Sequence, residues 1–319
     1  MKKIELHLHL EGAAPPAFIR GLAAEKSHAL PAIFDEGGNY RFDGFRDFLR
    51  VYDAVSATLQ GPRDYARLLR VVLEECAENG AIHVELFVSP DFCGGGDLPA
   101  WRDHLAAMEE VARDMRAQGI GSSAILTALR HLDPAQSKKA AICAAETAGD
   151  WVAGFGMAGA ETAAPARDFA WAFDCAREAG LGLTCHAGEW GGPSSIREAL
   201  SLGVTRIGHG IRAVEDPALV RHLAESGITL ECCPGSNVAL GLCRDLRAHP
   251  IAQLADAGVR VTVSTDDPPF FRTDLRREYQ GLADAFGWAE AEFTQMNQWA
   301  IDAAFCKEEV KEHLRKELT

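Results

Sequence analysis

The stretch KIELHLHL (3–10) places two histidines, His7 and His9, inside a segment that is typical of a buried β-strand. Side chains alternate between the two faces of a strand, so the two imidazoles point the same way. Seven later stretches are similarly short and apolar, as expected for parallel strands covered on both faces. They are AIHVELFVS (81–89), SSAILTAL (122–129), WVAGFGMAG (151–159), LGLTCHAG (181–188), RIGHG (206–210), ITLECCPG (228–235) and RVTVSTDD (260–267).

Helical patterns separate most of these strands. RDYARLLRVVLEECAENG (63–80) and DLPAWRDHLAAMEEVARDMRAQG (97–119) are the longest, and most of the others end at glycine, where a left-handed cap fits. Eight strands with intervening helices predict an α/β fold, the (β/α)8 TIM barrel, built as one domain from residues 1–319. A doubly wound open sheet is the alternative. Eight units of similar size favour closure, and no glycine-rich dinucleotide fingerprint follows the first strand.

The first connection between a strand and its barrel helix is long, and it spans residues 12–62. Within it, FDGFRDFLRVYDAVSATL (42–59) repeats aromatic and apolar residues near helical spacing. This helical insertion either forms a flap over the barrel mouth or packs against the outside of the barrel. The sequence alone leaves both placements open.

The composition excludes several classes of partner. The chain has 319 residues and a formal net charge of −14 with neutral histidines, and it shows no basic stripe, so we expect no nucleic acid polymer as partner. It has no run of 18 apolar residues, so we expect no membrane span. The N-terminus lacks the apolar core of a signal peptide, and the nine scattered cysteines do not resemble a disulfide framework. We therefore expect a cytoplasmic protein; the sequence predicts no oligomeric state.

Histidines and aspartates fall at the carboxyl ends of four predicted strands, which face one mouth of a barrel. Taken singly, a buried histidine is most often a hydrogen-bonded core residue, and Asp-Asp-Pro is most often a turn or a helix cap. Together, three neutral imidazoles and a carboxylate are a suitable ligand set for Zn²⁺, and burying them without a cation would be costly. The residues are His7, His9, His186, His209, Asp266 and Asp267.

The positions of the lysines predict one zinc ion per chain rather than two. No lysine ends a predicted strand, so a lysine bridge between two metals is not expected, and Glu161 is expected to cap the helix that follows it. Five candidates compete for about four positions. His7, His9, His186 and Asp266 form one sensible set, and His209 would then stand beside the metal, where it could position the attacking water or take its proton.

Two carboxylates remain near this cluster. Glu189 lies three residues after His186, just beyond the strand, and it is a candidate proton donor to the substrate. Asp266 and Asp267 are adjacent, so their side chains diverge in extended backbone, and one can bind metal while the other faces substrate. Spacing alone does not decide which does which.

The motifs of the chain, taken together and in order, resemble those of the adenosine deaminase family of the amidohydrolase superfamily. The resemblance covers essentially the whole chain. Any one of the motifs would be weak evidence alone, whereas the combination is highly specific. The motifs are ELHLHLEG (5–12), CHAGE (185–189), IGHG (207–210), CPGSN (233–237) and STDDPPFF (264–271).

The resemblance implies a role for each site residue. His7, His9, His186 and Asp266 match the zinc ligands of the family, Glu189 matches the acid that protonates purine N1, and His209 matches the residue that orients or deprotonates water. Asp267 matches the acceptor for purine N7, and Gly159 matches the glycine whose backbone N–H meets purine N3. His9 also matches a residue near the sugar. Glu11 stands where the family often has Asp as the ribose contact, and it is longer by one methylene.

The implied reaction is the zinc-dependent hydrolytic deamination of a 6-aminopurine. Adenosine or 2′-deoxyadenosine, giving inosine and ammonia, is the main expectation. Free adenine, an N6-substituted adenine, and nucleotide or futalosine derivatives are the alternatives. Arg130 at the end of the third strand, with Arg41, Arg46 and Arg50 in the insertion, leaves a phosphorylated substrate open.

Two further classes compete with this expectation. A non-catalytic barrel that binds purine or metal would lack an acid or a ligand, and an unrelated metal hydrolase such as an amidase would not need Glu189 with the Asp266–Asp267 pair. All of these residues are present. The other zinc deaminase signature, H-x-E with P-C-x-x-C, is absent from the chain.

Overall fold

The computed structural model describes residues 1–318 and confirms the (β/α)8 barrel. Eight parallel strands neighbour one another in chain order, and helices lie between them. The strands are β1 (Lys3–His9), β2 (Ala81–Val88), β3 (Gly121–Leu129), β4 (Val152–Ala158), β5 (Gly182–Ala187), β6 (Arg206–His209), β7 (Thr229–Cys232) and β8 (Arg260–Val263).

All eight predicted strands are present, but the last two are shorter than the sequence suggested. β7 stops at Cys232 because a helix begins at Pro234, where proline fits the first turn. β8 stops at Val263, and Asp266 then adopts a left-handed backbone with φ of 66°. Ser236, Asn237 and Asp266 therefore lie in the connections that follow these strands and not in the strands themselves.

The helices fill the connections as expected, and further helices follow the last strand. The C-terminal segment from α12 to α14 had no counterpart among the sequence predictions. The helices are α1 (Pro16–Glu25), α2 (Gly44–Ser56), α3 (Pro62–Glu78), α4 (Leu98–Ala117), α5 (Pro134–Glu146), α6 (Ala170–Glu178), α7 (Pro193–Ser201), α8 (Pro217–Ser226), α9 (Pro234–Ala239), α10 (Ile251–Asp256), α11 (Pro268–Phe271), α12 (Leu275–Phe286), α13 (Glu290–Ala303) and α14 (Glu308–Leu318); short 3₁₀ turns cover Ala166–Phe169, Ile211–Glu215 and Leu246–Ala248.

The barrel is joined between β8 and β1 by little backbone pairing. Two hydrogen bonds, His9 N–H to Asp266 O and Asp266 N–H to His7 O, each 3.0 Å long, link the segment after β8 to β1. Outside this seam, α13 packs Ala300 and Ile301 against Ile4 and Leu6 of β1. Three of the candidate metal ligands, His7, His9 and Asp266, thus lie at this join.

Helix α2 lies over the mouth of the barrel. Phe48, Val51 and Val55 form its buried face, and the Phe48 ring packs against those of Phe270 and Phe271, each with a centroid separation of 5.4 Å. This arrangement places part of the 12–62 insertion at the mouth rather than on the outer wall. None of the helices within residues 1–318 combines the length and apolar character needed to cross a membrane.

Candidate active site

The strand ends bring four potential metal ligands together at the mouth. The Nε2 atom of His186 lies 3.0 Å from Nε2 of His7 and 3.2 Å from Nε2 of His9. Oδ1 of Asp266 lies 3.2 Å from Nε2 of His9 and 3.6 Å from Nε2 of His7. Zinc–nitrogen bonds of 2.0–2.1 Å in a tetrahedron place neighbouring ligand atoms about 3.3 Å apart. The donor types and their spacing therefore fit a zinc ion.

His209 also reaches this cluster. His7, His186, His209 and Asp266 each offer a ligand atom within 4.8 Å of the others. Contacts of 3.2 Å join Nε2 of His9 to Nε2 of His186 and to Oδ1 of Asp266. The competition between five candidates and four positions, expected from the sequence, is therefore present in the fold, and the spacing favours the set that contains His9.

The electrostatics of the cluster favour a cation. Although burial acts against it, hydrogen bonds with Asp266 and Glu231 raise the pKa of His7 to about 9. Burial lowers the pKa values of His9 and His186, which keeps both imidazoles neutral, as metal ligands must be. The cluster therefore attracts positive charge while it keeps lone pairs available.

Glu231 orients His7 from inside the barrel. Its Oε2 accepts a hydrogen bond of 2.6 Å from Nδ1 of His7, while Oε1 accepts from Thr184 Oγ1 at 2.8 Å and pairs with Arg206 Nε at 2.5 Å. A carboxylate on the far nitrogen of a metal-binding histidine fixes its tautomer and directs the other nitrogen toward the metal. Glu231 lies within β7, and it belongs to none of the motifs that the sequence analysis identified.

The motif CPGSN supplies partners for two site residues. Ser236 Oγ donates to Oδ2 of Asp266 at 2.7 Å, and Asn237 Nδ2 lies 3.3 Å from Nδ1 of His209. His209 and Asp266 both have a left-handed backbone, with φ of 61° and 66°, which is uncommon for residues with a side chain. Residues held in this way are concentrated at functional sites.

Glu189 is placed as the sequence predicted, beside the metal cluster. Its side chain is buried, and its Oε2 lies 3.9 Å from Nε2 of His209. Burial raises its pKa well above the ordinary value, and the nearby Asp266 and Glu161 carboxylates raise it further. A carboxyl group held in its neutral form can donate a proton.

Glu161 does not cap a helix, so that prediction was wrong. Its carboxylate accepts hydrogen bonds from the backbone N–H groups of Gly188, Glu189, Trp190 and Gly191, at 2.7–3.1 Å. Ser195 Oγ also donates to it. Glu161 binds the four N–H groups of this loop instead of the N–H groups at the start of the next helix, because an ionised carboxylate binds several donors strongly. Glu161 therefore fixes the loop that carries Glu189.

Asp267 lies against Gly12, the last residue of the motif ELHLHLEG (5–12). A Cβ atom on Gly12 would come within 1.6 Å of Oδ1 of Asp267, so only glycine leaves room for this carboxylate. Oδ1 is buried and has no hydrogen-bond partner in the described chain. Buried polar atoms without a partner are rare. Asp267 faces the cavity, where a ligand N–H can meet it.

A cavity of about 60 Å³ lies between the metal cluster and α2. His9, His186, His209, Glu189 and Asp267 line its metal end. The end formed by β3 and β4 holds Leu129, His131, Ala158 and Gly159, and the roof comprises Phe45, Phe48, Leu49, Tyr52, Asp53, Phe92, Leu240 and Phe271. Phe45 also contacts Trp190 of the Glu161-bound loop, with ring centroids 4.8 Å apart.

Glu11 is buried but does not line this cavity. Its carboxylate accepts from Tyr65 Oη at 3.2 Å and from Tyr52 Oη at 3.4 Å. The sugar contact that the resemblance implied for Glu11 therefore has no counterpart in the geometry. Arg130 likewise offers no phosphate site, because its guanidinium donates to the carbonyl oxygens of Glu161 and His186 at 2.8 and 2.9 Å.

Sequence reasoning missed two polar residues of the cavity, His131 and Asp53. Neither belongs to the metal cluster, and neither has a hydrogen-bonded side chain among the contacts of the described residues. Burial lowers the pKa of His131, and the Asp53 carboxylate acts in the opposite direction. His131 follows the end of β3 as His9 ends β1, and the strand-end rule applied to β3 would have found it.

A second cluster of potential ligands lies deeper in the barrel but is already occupied by protein contacts. His83, Glu85 and Cys306 place their ligand atoms within 4.8 Å of one another. Oε2 of Glu85 pairs with Arg206 at 2.5 Å, and Oε1 accepts from the N–H of Phe305 at 2.5 Å. Because a guanidinium already neutralises this carboxylate, the cluster does not favour a second cation.

Comparison with known proteins agrees with this geometry. A family model described as adenosine deaminase matches residues 2–319. An adenine deaminase from Rhizobium rhizogenes is 47% identical over 313 residues, covering 97% of this chain and 96% of that protein, and one from Rhizobium leguminosarum is 45% identical over 315 residues, covering 98% of each.

Solved structures with more distant sequences share the whole fold. The crystal structure of an adenine deaminase from Arthrobacter aurescens has a TM-score of 0.90 at 30% identity, covering 99% of this chain and 97% of that chain. An amidohydrolase from Burkholderia ambifaria with bound zinc has a TM-score of 0.89 at 28% identity, covering 100% and 89%. The match over the full chain leads to one conclusion: the chain belongs to the adenosine deaminase family.

Proposed function

We propose that this protein hydrolyses the amino group of free adenine, giving hypoxanthine and ammonia. Its family membership makes it a hydrolase that acts on a C–N bond. The observation that carries the choice of adenine is the 45–47% identity, over nearly the whole chain, to proteins named adenine deaminase. The main expectation from the sequence, adenosine, finds no such support and gives way to the alternative of free adenine.

The cavity supports a base rather than a nucleoside. Glu11, the residue that would meet a ribose, is bonded to Tyr52 and Tyr65 outside the cavity. The roof is largely aromatic and apolar, which suits the face of a purine and offers little to sugar hydroxyls. We also propose that the chain works as one domain in which residues 12–62 form a flap over the site.

His7, His9, His186 and Asp266 would hold zinc. When bound, the metal lowers the pKa of a coordinated water toward neutrality. Asp266 is further held by Ser236, and His7 by Glu231, so both ligands are oriented before the metal arrives. One zinc ion per chain is the stoichiometry that this ligand set supports.

The remaining site residues act on the purine. Glu189, buried and neutral, donates a proton to N1 while the oxygen of water adds to C6, and Asp267 forms a hydrogen bond with N7. One proton of that water returns to the Glu189 carboxylate, and the other passes to the amino nitrogen. The bond from C6 to the amino nitrogen then breaks, ammonia leaves, and C6 keeps the oxygen. Gly159 lines the cavity just after the end of β4, and we propose that its N–H meets N3.

The end of the cavity that holds His131 and Gly159 would contact the N3–N9 edge of the purine, where a nucleoside carries its sugar and a free base does not. In the six-membered ring of a purine, N3 lies opposite C6. N9 is bonded to C4, the ring atom next to N3. With C6 at the metal end, the N3–N9 edge faces His131 and Gly159. A Cβ on Gly159 would lie 2.4 Å from Nδ1 of His131, so the imidazole lies close over this glycine. A substituent on N9 would meet that imidazole.

The test uses zinc-loaded protein and a set of matched purines. We expect loss of ultraviolet absorbance and release of ammonia with adenine, and at least tenfold lower kcat/KM with 9-methyladenine, adenosine, AMP and N6-methyladenine. A preference for adenosine over adenine would overturn the proposed substrate. Lack of turnover with every 6-aminopurine would overturn the proposed reaction.

A further inference from the structure

A buried chain of hydrogen bonds leads from a backbone amide to His209. The N–H of Ile251 donates to Nδ1 of His249 at 3.1 Å. Nε2 of His249 lies 3.0 Å from Oδ1 of Asn237, and Nδ2 of Asn237 lies 3.3 Å from Nδ1 of His209. The three side chains are 0–3% exposed.

The N–H of Ile251, at one end of this chain, determines the tautomers of His249 and His209 and the orientation of the Asn237 amide. An N–H can only donate, so Nδ1 of His249 accepts and carries no hydrogen, and the hydrogen of this imidazole is on Nε2. That hydrogen is directed at Asn237, whose oxygen must therefore face His249 and whose NH₂ must face His209. Nδ1 of His209 then accepts, and its hydrogen is on Nε2.

We propose that Asn237 and His249 are positioning residues that hold His209 as the Nε2–H tautomer, so that His209 donates a hydrogen bond to the attacking oxygen rather than accepting its proton or binding the metal. The tautomer follows from the fold alone. The part that concerns the attacking oxygen rests on the proposed function.

His7 provides the contrast that supports this assignment. Its Nδ1 donates to Glu231, so its Nε2 keeps a lone pair for a cation. Nδ1 of His209 accepts from Asn237 instead, so its hydrogen is on Nε2 and is directed into the cavity. Nε2 of His209 lies 3.9 Å from Oε2 of Glu189. Two histidines of one cluster are thus assigned opposite tasks by their outer partners. His9 then takes the fourth ligand position.

The direct test is ¹⁵N nuclear magnetic resonance on zinc-loaded protein that carries ¹⁵N-labelled histidine. Long-range proton–nitrogen correlations distinguish the Nε2–H from the Nδ1–H tautomer, and the signals of His209 and His249 are assigned by their loss in His209→Gln and His249→Gln. We expect both residues as Nε2–H. A His209 signal with hydrogen on Nδ1, or with Nε2 bound to zinc, would overturn the inference whatever the activity of the protein.

Substitutions within the chain test its consequence. Asn237→Asp presents only acceptors to His209, and we expect it to move the hydrogen to Nδ1 and lower kcat about 10–100-fold, with KM for adenine little changed. His249→Gln, which keeps an N–H for Asn237, should retain more kcat than His249→Ala. The matched control is Asn297→Asp, a buried asparagine that bonds Ile4 and Tyr279 instead.

The outcomes separate the inference from the proposed function. If Asn237→Asp leaves the His209 tautomer and kcat as in the Asn297→Asp control, the positioning role is wrong, although the protein can still be an adenine deaminase. If the wild type does not deaminate adenine but the spectra show His209 and His249 as Nε2–H tautomers, the positioning of His209 is confirmed and the proposed reaction is wrong.

Discussion

At the scale of single residues, the contact with Asp267 explains why the motif ELHLHLEG (5–12) ends in glycine. We predict that Gly12→Ala lowers kcat/KM for adenine at least tenfold and leaves the zinc content unchanged, because the three heavy atoms nearest the new Cβ all belong to Asp267. Steady-state kinetics and metal analysis measure both effects. Gly21→Ala is the control, since its Cβ would meet nothing within 4 Å and lies within α1. Equal behaviour of the two variants would contradict this role for Gly12.

Glu189 provides the second prediction at this scale. Glu189→Gln keeps the shape of the side chain but cannot deliver a proton, so kcat should fall about 10²–10⁴-fold while the zinc content stays that of the wild type. Glu215→Gln, an exposed change in the pair with Arg212, should leave both quantities unchanged. Loss of zinc from the Glu189 variant would show that its carboxylate belongs to the metal site instead.

His131 provides the third. Removing its imidazole with His131→Ala should open space above Gly159, so 9-methyladenine becomes a measurable substrate while kcat/KM for adenine falls about tenfold, the value of one hydrogen bond. The ratio of the two kcat/KM values is the readout. His222→Ala, an exposed histidine on α8, should leave the ratio as in the wild type. An unchanged ratio in the His131 variant would mean that another residue excludes N9 substituents.

At the scale of elements, local patterns predicted the strands well and the contacts between distant elements poorly. His7, His9, His186 and Asp266 were predictable because strand ends share one mouth of a barrel whatever the loops do. Glu161 was misassigned, because its partners on the loop after β5 lie about 27–30 residues away along the chain. The hydrogen-bond chain from His249 through Asn237 to His209 was not predictable for the same reason, since it depends on the end of β6, α9 and the segment before α10 meeting in space.

The loop after β5 carries the fourth prediction. Both oxygens of Glu161 accept hydrogen bonds from this loop, so Glu161→Gln loses the charge and sets an NH₂ group against N–H donors. We expect a loss of about 1–3 kcal/mol in the free energy of unfolding and a lower kcat, because Glu189 shifts. Urea unfolding followed by circular dichroism, with kinetics on the same samples, measures both. The control is Glu198→Gln, at a partly exposed carboxylate that pairs with Arg167 and accepts a single backbone hydrogen bond, from Ala166. An equally small effect in both variants would contradict the anchoring role.

At the scale of the whole molecule, the metal site and the seam of the barrel coincide. The ligands come from β1, β5 and the segment after β8. Within residues 1–318, the backbone of the segment after β8 is joined to β1 by the two hydrogen bonds between Asp266 and the residues His7 and His9. A cation held by His7, His9 and Asp266 would bind both sides of this seam. Because the ligands converge only in the folded barrel, binding should also stabilise the native state.

Removing the metal should therefore loosen one part of the barrel more than the rest. We predict that chelation lowers the melting temperature and speeds amide hydrogen exchange at residues 7–10 and 264–266, while the fully paired β2–β3 region exchanges nearly as before. Hydrogen-exchange mass spectrometry of zinc-loaded and chelated protein compares the two regions directly. His7→Ala in the presence of zinc should resemble the chelated wild type at the seam. A uniform increase in exchange around all eight strands would instead mean that the metal stabilises the barrel globally and does not act at the junction of β8 and β1.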